Sequence, residues 1–247
     1  MAGAECPAQG LAARDARFRR LHVELEVAGD LKFDMQPPEA GVTRGQHMAG
    51  AECPAQGLAA ASTREGEEPL ILEAFARWPG AARPALLLVP RHPQRFDEVA
   101  ALATRAGFSV QRRSQLDVDA FDAPITADIV LGDSMGEMAM YYAASDIAYI
   151  GGSLIPLGGQ NLIEACAVGT PVLMGPHTFN FAQATEDAIA AGACLRVADA
   201  DALMAAASAV LADDARLADM RAHALTFAGL HRGATQRTLA ALAPVLR

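Results

Sequence analysis

The stretch that decides the fold runs from Ile147 to Met174: Ile147-Ala-Tyr-Ile150, Gly151-Gly-Ser-Leu-Ile-Pro-Leu-Gly-Gly-Gln-Asn161, Leu162-Ile-Glu-Ala-Cys-Ala-Val168 and, after Gly169-Thr170, Pro171-Val-Leu-Met174. Its ends are short and wholly apolar, the pattern of strands covered on both faces rather than on one. Between them a glycine-rich turn leads into a helical stretch. That is one strand-helix-strand unit of a parallel sheet.

The same alternation extends outward in both directions. Strands are expected at 85–89, 108–111, 128–131, 147–150, 171–174 and 194–197. Helices are expected at 65–78, 93–106, 135–144, 159–168, 181–190 and 201–211, with a helical tail over 214–247. Repeated βα units of this length predict an α/β fold, a Rossmann-like doubly wound parallel sheet whose chemistry lies at the carboxyl ends of the strands.

Composition agrees with a folded domain. The 247 residues are 52% hydrophobic and 20% charged, and 20 Lys+Arg against 29 Asp+Glu leave a net charge of −9. Such a chain buries a core instead of staying disordered, and its acidity disfavours nucleic acid or an anionic membrane surface as partner. The longest aliphatic run, 202–212, is too short to span a bilayer, and no signal peptide is recognisable. Cys6, Cys53, Cys166 and Cys194 show neither C-x-x-C nor Cys/His spacing, so no disulfide framework or structural metal is expected.

The N-terminal region is of another kind. Met1-Ala-Gly-Ala-Glu-Cys-Pro-Ala-Gln-Gly-Leu-Ala-Ala13 recurs letter for letter at 48–60, without the drift of a structural repeat. It reads as a recent duplication or a gene-boundary artefact. Residues 1–60 are expected to form an irregular segment, with a remnant strand at 25–34 and a Pro/Gly connector at 36–46, and residues 61–247 the main domain.

The turns after the strands carry the chemistry. Glycines in 151–161 let backbone approach a ligand, and a helix opening near Gly159 offers free N–H groups, a phosphate cradle. Asn161 and Glu164 stand at helical spacing. Glu164 reads either as an acceptor for ribose hydroxyls or as a solvated helix position. Gly132-Asp-Ser-Met-Gly-Glu137 repeats the design: capping accounts for Asp133 and Ser134, whereas Gly136 inside a first helical turn calls for close ligand approach or a structural reason. Arg91 offers a planar fork to phosphate, and His92 is held extended by Pro93. Ser62 and Glu65 have capping-box spacing. His177 and Asn180 read equally as contacts or turn formers.

Taken in order, AGDLKFDM at Ala28, ASTREGEE at Ala61, LLVPRHPQRF at Leu87, LGDSMGEM at Leu131, YIGGS at Tyr149 and GGQNLIEACAVGTPVLMGPHTFNF ending at Phe181 resemble the 3-deoxy-D-manno-octulosonic acid (Kdo) transferases of lipopolysaccharide synthesis. The likeness covers residues 61–247 and the short AGDLKFD piece. It implies the C-terminal, donor-binding lobe of a two-lobed GT-B glycosyltransferase. Such an enzyme transfers Kdo from CMP-Kdo to a lipid A precursor at the inner face of the bacterial inner membrane, without a metal or other cofactor. The acceptor site and the general base of the family lie in the N-terminal lobe, so no catalytic residue is expected here and the chain alone is expected to be inactive. Carried onto this sequence, the donor contacts are Ser62, Thr63, Arg91, His92, Gly132, Met135, Gly136, Glu137, Gly152, Ser153, Asn161 and Glu164. Gln160 stands where many relatives have His. Two alternatives stay open: a non-catalytic nucleotide-binding fragment, and an enzyme using a UDP-sugar, either GT-B or epimerase.

Overall fold

The computed structural model describes residue 34 and residues 36–50, 57–117, 125–230 and 232–243. The expected strand at 25–34 and the first copy of the repeat lie outside them, Asp34 excepted. Residues 36–230 form one compact unit, and Asp34 with the C-terminal helix belongs to a second, smaller one.

Seven strands, β1 Gly57–Thr63, β2 Ala85–Pro90, β3 Val110–Arg112, β4 Ile129–Leu131, β5 Ile147–Ile150, β6 Val172–Met174 and β7 Cys194–Arg196, form one sheet in the order β3-β4-β2-β1-β5-β6-β7. Every pairing is parallel. All carboxyl ends therefore share one edge. From β1 the chain winds toward β3 and then returns to lay β5 on the other side, so the topological switch lies between β1 and β5.

The helices are α1 Glu39–Gly50, α2 Glu67–Ala76, α3 Phe96–Arg105, α4 Met138–Ala143, α5 Ile163–Ala167, α6 Ala182–Ala190, α7 Ala200–Leu211, α8 Asp214–Leu230 and α9 Ala234–Leu242. Leu58 and Ala60 of β1 join Leu86, Leu88, Ile129, Leu131 and Tyr149 beneath Ile71 and Phe75 of α2, Val99 of α3 and Leu203, Ala207 and Val210 of α7. Burying each large side chain contributes about 1.5–3 kcal/mol, which holds helices of modest intrinsic stability on the sheet.

Several expectations need correction. The central strand, β1, was unexpected: Gly57-Leu-Ala-Ala-Ala-Ser-Thr63 is alanine-rich and lacks β-branched residues until its end, so propensity conceals it. Its first four residues close the second repeat copy, and Met48-Ala-Gly50 end α1, so both ends of that copy belong to regular elements and the folded region begins well before residue 61. The supposed connector at 36–46 is largely α1. Gly41 and Gly45 are there for helix contact: a Cβ on Gly45 would lie 2.7 Å from Ala143 Cβ and also collide with the Met140 carbonyl, so α1 and α4 touch through backbone. Ser62 and Glu65 form no capping box. Ser62 lies in β1 and α2 begins at Glu67. Finally, α4 and α5 start at Met138 and Ile163, later than Met135 and Gly159, because Gly136, Gly158 and Gly159 adopt positive φ and belong to the turns. The tail is two helices, broken at Gly233 (φ 91°).

Candidate functional site

The sheet register gathers the post-β4, post-β2, post-β1, post-β5 and post-β6 turns in that order along one edge. With strands about 4.8 Å apart, the outermost of these lie roughly 19 Å from each other, the scale of a nucleotide-sugar.

At the switch, Arg91 N donates to Thr63 O (2.9 Å) and Gly151 N to Ala61 O (2.8 Å), so the ends of β2 and β5 flank the end of β1. The β1–β2 register shifts between Ala61 and Thr63. Ser62 there has φ 56°, the one non-glycine among the described residues at positive φ. An irregularity of this kind re-aims a side chain, and the strain persists because the paired strands on both sides fix the backbone. The Ser62 hydroxyl has no partner among the described residues. Thr63 differs: its hydroxyl donates to Glu68 Oε1 (2.8 Å) and is buried.

Glu67 holds this junction together. Its carboxylate is wholly buried and accepts from Arg64 N (2.9 Å) and Gly152 N (2.7 Å) on Oε2, and from Tyr149 Oη (2.6 Å) and Leu154 N (3.1 Å) on Oε1. Burial, reinforced by the neighbouring carboxylate, pushes the Tyr149 phenol well above its ordinary value, which keeps it a donor. Glu68 beside it ion-pairs with Arg95 (2.7 Å). The two carboxylates stand in the first turn of α2, so its positive dipole end already faces negative charge.

Free cationic groups replace it. The guanidinium of Arg91, exposed at the end of β2, makes no hydrogen bond or ion pair within the described residues. The same holds for Arg64, whose Cγ would lie 3.5 Å from a Cβ on Gly152. His92 is extended (φ −115°, ψ 123°), as its place before Pro93 dictates, and exposed.

Other predicted contacts divide into framework and surface. Ser153 is buried, and its hydroxyl donates to Ile150 O (2.6 Å) and accepts from Gly175 N (2.9 Å), so it stitches β5 to the post-β6 turn. Asn161 Nδ2 donates to Glu164 Oε1 (2.9 Å) while its Oδ1 accepts from Ile163 N (3.0 Å); the pair forms the start of α5. In the post-β4 turn Glu137 ion-pairs with Arg113 (2.6 Å) and accepts from Ser134, whose Oγ also hydrogen-bonds Tyr141. Burial pushes the Tyr141 phenol up to about 12 against the lowering effect of Ser134. Met135 is 64% exposed, and a Cβ on Gly136, which has φ 79°, would meet no protein atom within 4 Å. Gly132 is packed instead, its added Cβ 2.8 Å from Val89 Cγ2. Arg196 of β7 holds the post-β6 turn through Gly175 O (3.0 Å) and Thr178 Oγ1 (3.3 Å), placing His177 N on Ser153 O (3.0 Å).

Sequence reasoning missed Arg64, Glu67 and Tyr149. A glutamate at a helix start reads as dipole compensation, and a tyrosine in an apolar strand as core. The only available signal was the pairing of a polar-tipped aromatic with an acidic pair at the same sheet edge. Among the described residues, no cluster of His, Cys, Asp and Glu could hold a metal ion, and no helix is long and apolar enough to cross a membrane.

No family model matches the chain. It is 50% identical over 220 residues to a 3-deoxy-D-manno-octulosonic acid transferase of Bordetella pertussis, a match covering 87% of this chain and 50% of that protein. The chain spans about half the length of the curated relatives it matches. Among solved structures it is similar to the C-terminal CMP-Kdo binding domain of WaaA from Acinetobacter baumannii, at 31% identity and TM-score 0.68, covering 77% of this chain and 98% of that one. Anabaena HepE in complex with UDP and glucose, 13% identical with TM-score 0.58 and matched over 87% of this chain and 54% of that one, shares the fold alone. The fold is thus that of the C-terminal lobe of a GT-B glycosyltransferase.

Proposed function

The chain belongs to the 3-deoxy-D-manno-octulosonic acid transferase family, and from that premise we infer that it is the lobe that holds CMP-Kdo for transfer to a lipid A precursor. The observation that carries this reading is the junction of the post-β1 and post-β5 turns at the topological switch, where parallel sheets of this kind take nucleotides. Ser62, Arg91, His92 and the backbone around Gly152 line it, with Met135 and Gly136 on the outer side and Asn161 and Glu164 at the far end of the post-β5 turn. Thr63, Gly132, Glu137 and Ser153 act as its frame.

The lobe's task is electrostatic. In the complete enzyme, an acceptor hydroxyl loses its proton to a carboxylate of the other lobe and attacks the anomeric carbon, and the bond to CMP breaks. The departing phosphate gains charge, and Arg91 and Arg64 stabilise it in place of a helix dipole that Glu67 and Glu68 already compensate. Donor binding is this lobe's part of the reaction, and proton removal from the acceptor that of the other. Association with the inner face of the inner membrane would likewise belong to the complete enzyme.

Isothermal titration of the full chain with CMP tests the reading. Binding is expected, with Arg91→Ala and Arg64→Ala each weakening it about tenfold, the loss of one charged hydrogen bond. No binding by folded protein, or a preference for UDP over CMP in competition, overturns it.

A further inference from the structure

We propose that Glu67 is a positioning residue for the donor site: its buried carboxylate sets the post-β5 turn against the end of β1, and donor affinity depends on that setting. The proposal rests on the donor-site reading above. It starts from a count of donors. Four groups converge on the two oxygens of one side chain, three of them backbone N–H groups from turns on both sides of the switch. The fourth is the Tyr149 phenol, which also accepts from Leu154 N (3.1 Å).

Among the described residues no cation touches Glu67; its negative charge is met by N–H and O–H dipoles. A buried carboxylate held this way fixes each donor more tightly than neutral acceptors would, because charge-assisted hydrogen bonds are shorter and stronger. The geometry has a second consequence. Gly151 packs its backbone directly against β1: a Cβ there would lie 2.6 Å from Thr63 Cα, so only glycine fits. Steric contact thus sets the nearest approach of the two turns, and Glu67 prevents them from parting. Ser62 and Arg64, one on the irregularity of β1 and one beside Gly152, are held in register with the Gly152 backbone by this side chain together with the Gly151 N–Ala61 O hydrogen bond.

The chemistry of glutamine provides the test. In Glu67→Gln one oxygen becomes an NH2 group. Gly152 N and Arg64 N can only donate, so the remaining carbonyl oxygen must face them, and the NH2 turns toward Tyr149, whose oxygen can accept. Leu154 N then loses Glu67 while Gly152 N keeps its acceptor. Hydrogen exchange should quicken at Leu154 and remain slow at Gly152. In titration, CMP binds Glu67→Gln about tenfold more weakly, the scale of losing a hydrogen bond to a charged group.

Val210→Ala in the α7 core, which makes no contact with the Glu67 carboxylate, is the control: it lowers the urea midpoint without moving CMP affinity. Wild-type affinity in folded Glu67→Gln, or an equal loss of affinity in Val210→Ala, overturns the proposal. If Glu67→Gln does not fold, Tyr149→Phe takes its place, because it removes one donor and leaves the carboxylate. About threefold weaker CMP binding is then expected, the lower range for one hydrogen bond, and unchanged binding overturns the proposal. Failure of wild-type protein to bind CMP removes the donor-site reading and this proposal together, whereas wild-type binding with an unmoved Glu67→Gln removes the proposal alone.

Discussion

Two glutamates stand at the carboxyl edge of the sheet, each at the start of a helix and each beside a glycine turn, yet they are neutralised differently. Glu67 is wholly buried and surrounded by N–H and O–H dipoles. Glu137 retains 23% side-chain exposure and pairs with Arg113, which retains 8%. The dipole cage holds both sides of the topological switch in one geometry. The ion pair ties the post-β4 turn to the segment after β3 and leaves Arg113 Nε buried without a partner. The switch is therefore a wall built on backbone donors, and the post-β4 turn, with Met135 exposed at its tip, one built on side-chain pairs.

Glycine substitutions separate the two walls most sharply. Gly151→Ala should cost about 3 kcal/mol in urea unfolding, because its Cβ meets backbone of Ser62 and Thr63 that cannot yield. Arg113→Ala follows at about 2 kcal/mol by the same measurement, since it leaves Glu137 half-buried without its guanidinium. Gly136→Ala should cost only about 1 kcal/mol, the price of positive φ in open space. If Gly151→Ala and Gly136→Ala cost the same, the distinction between the packed turn and the open one fails.

The smallest effect lies in the second, smaller unit. Asp34 accepts from Gly233 N and Thr235 N at the start of α9, and hydrogen bonds to Thr235 hold its carboxyl down to about 2. A depressed folded value means that the stabilisation is complete above the ordinary value of 3.8 and is lost as pH falls through about 2. Amide exchange at Thr235 should accelerate across that window, and Asp34→Asn should abolish the pH dependence.

The strands were legible where aliphatic runs are continuous, as at Ile147–Ile150 and Ala85–Pro90, and the turns where glycine and proline cluster. Both signals are local. β1 escaped because its alanines are selected by neighbours on both sides of the sheet, and α1 because Gly41 and Gly45 answer to α4. The candidate site was legible as a set of turns but not as a division of labour. Ser153, Glu137 and Thr63 carry polar groups of the right chemistry, yet the fold engages each with its own backbone or side chains. Arg64 looked ordinary in sequence and becomes available only because Glu67 takes the backbone beside it.

The exact repeat acquires a mechanical meaning from where β1 and α1 lie. Recombination between its two copies would excise one copy and the intervening codons in frame. Such a product keeps all seven strands but loses nearly all of α1, baring Ala139 and Ala143 on α4 to water. The genetic lesion would thus strip insulation from one helix while sparing the sheet, and dye binding to newly wetted alanine surface would report it.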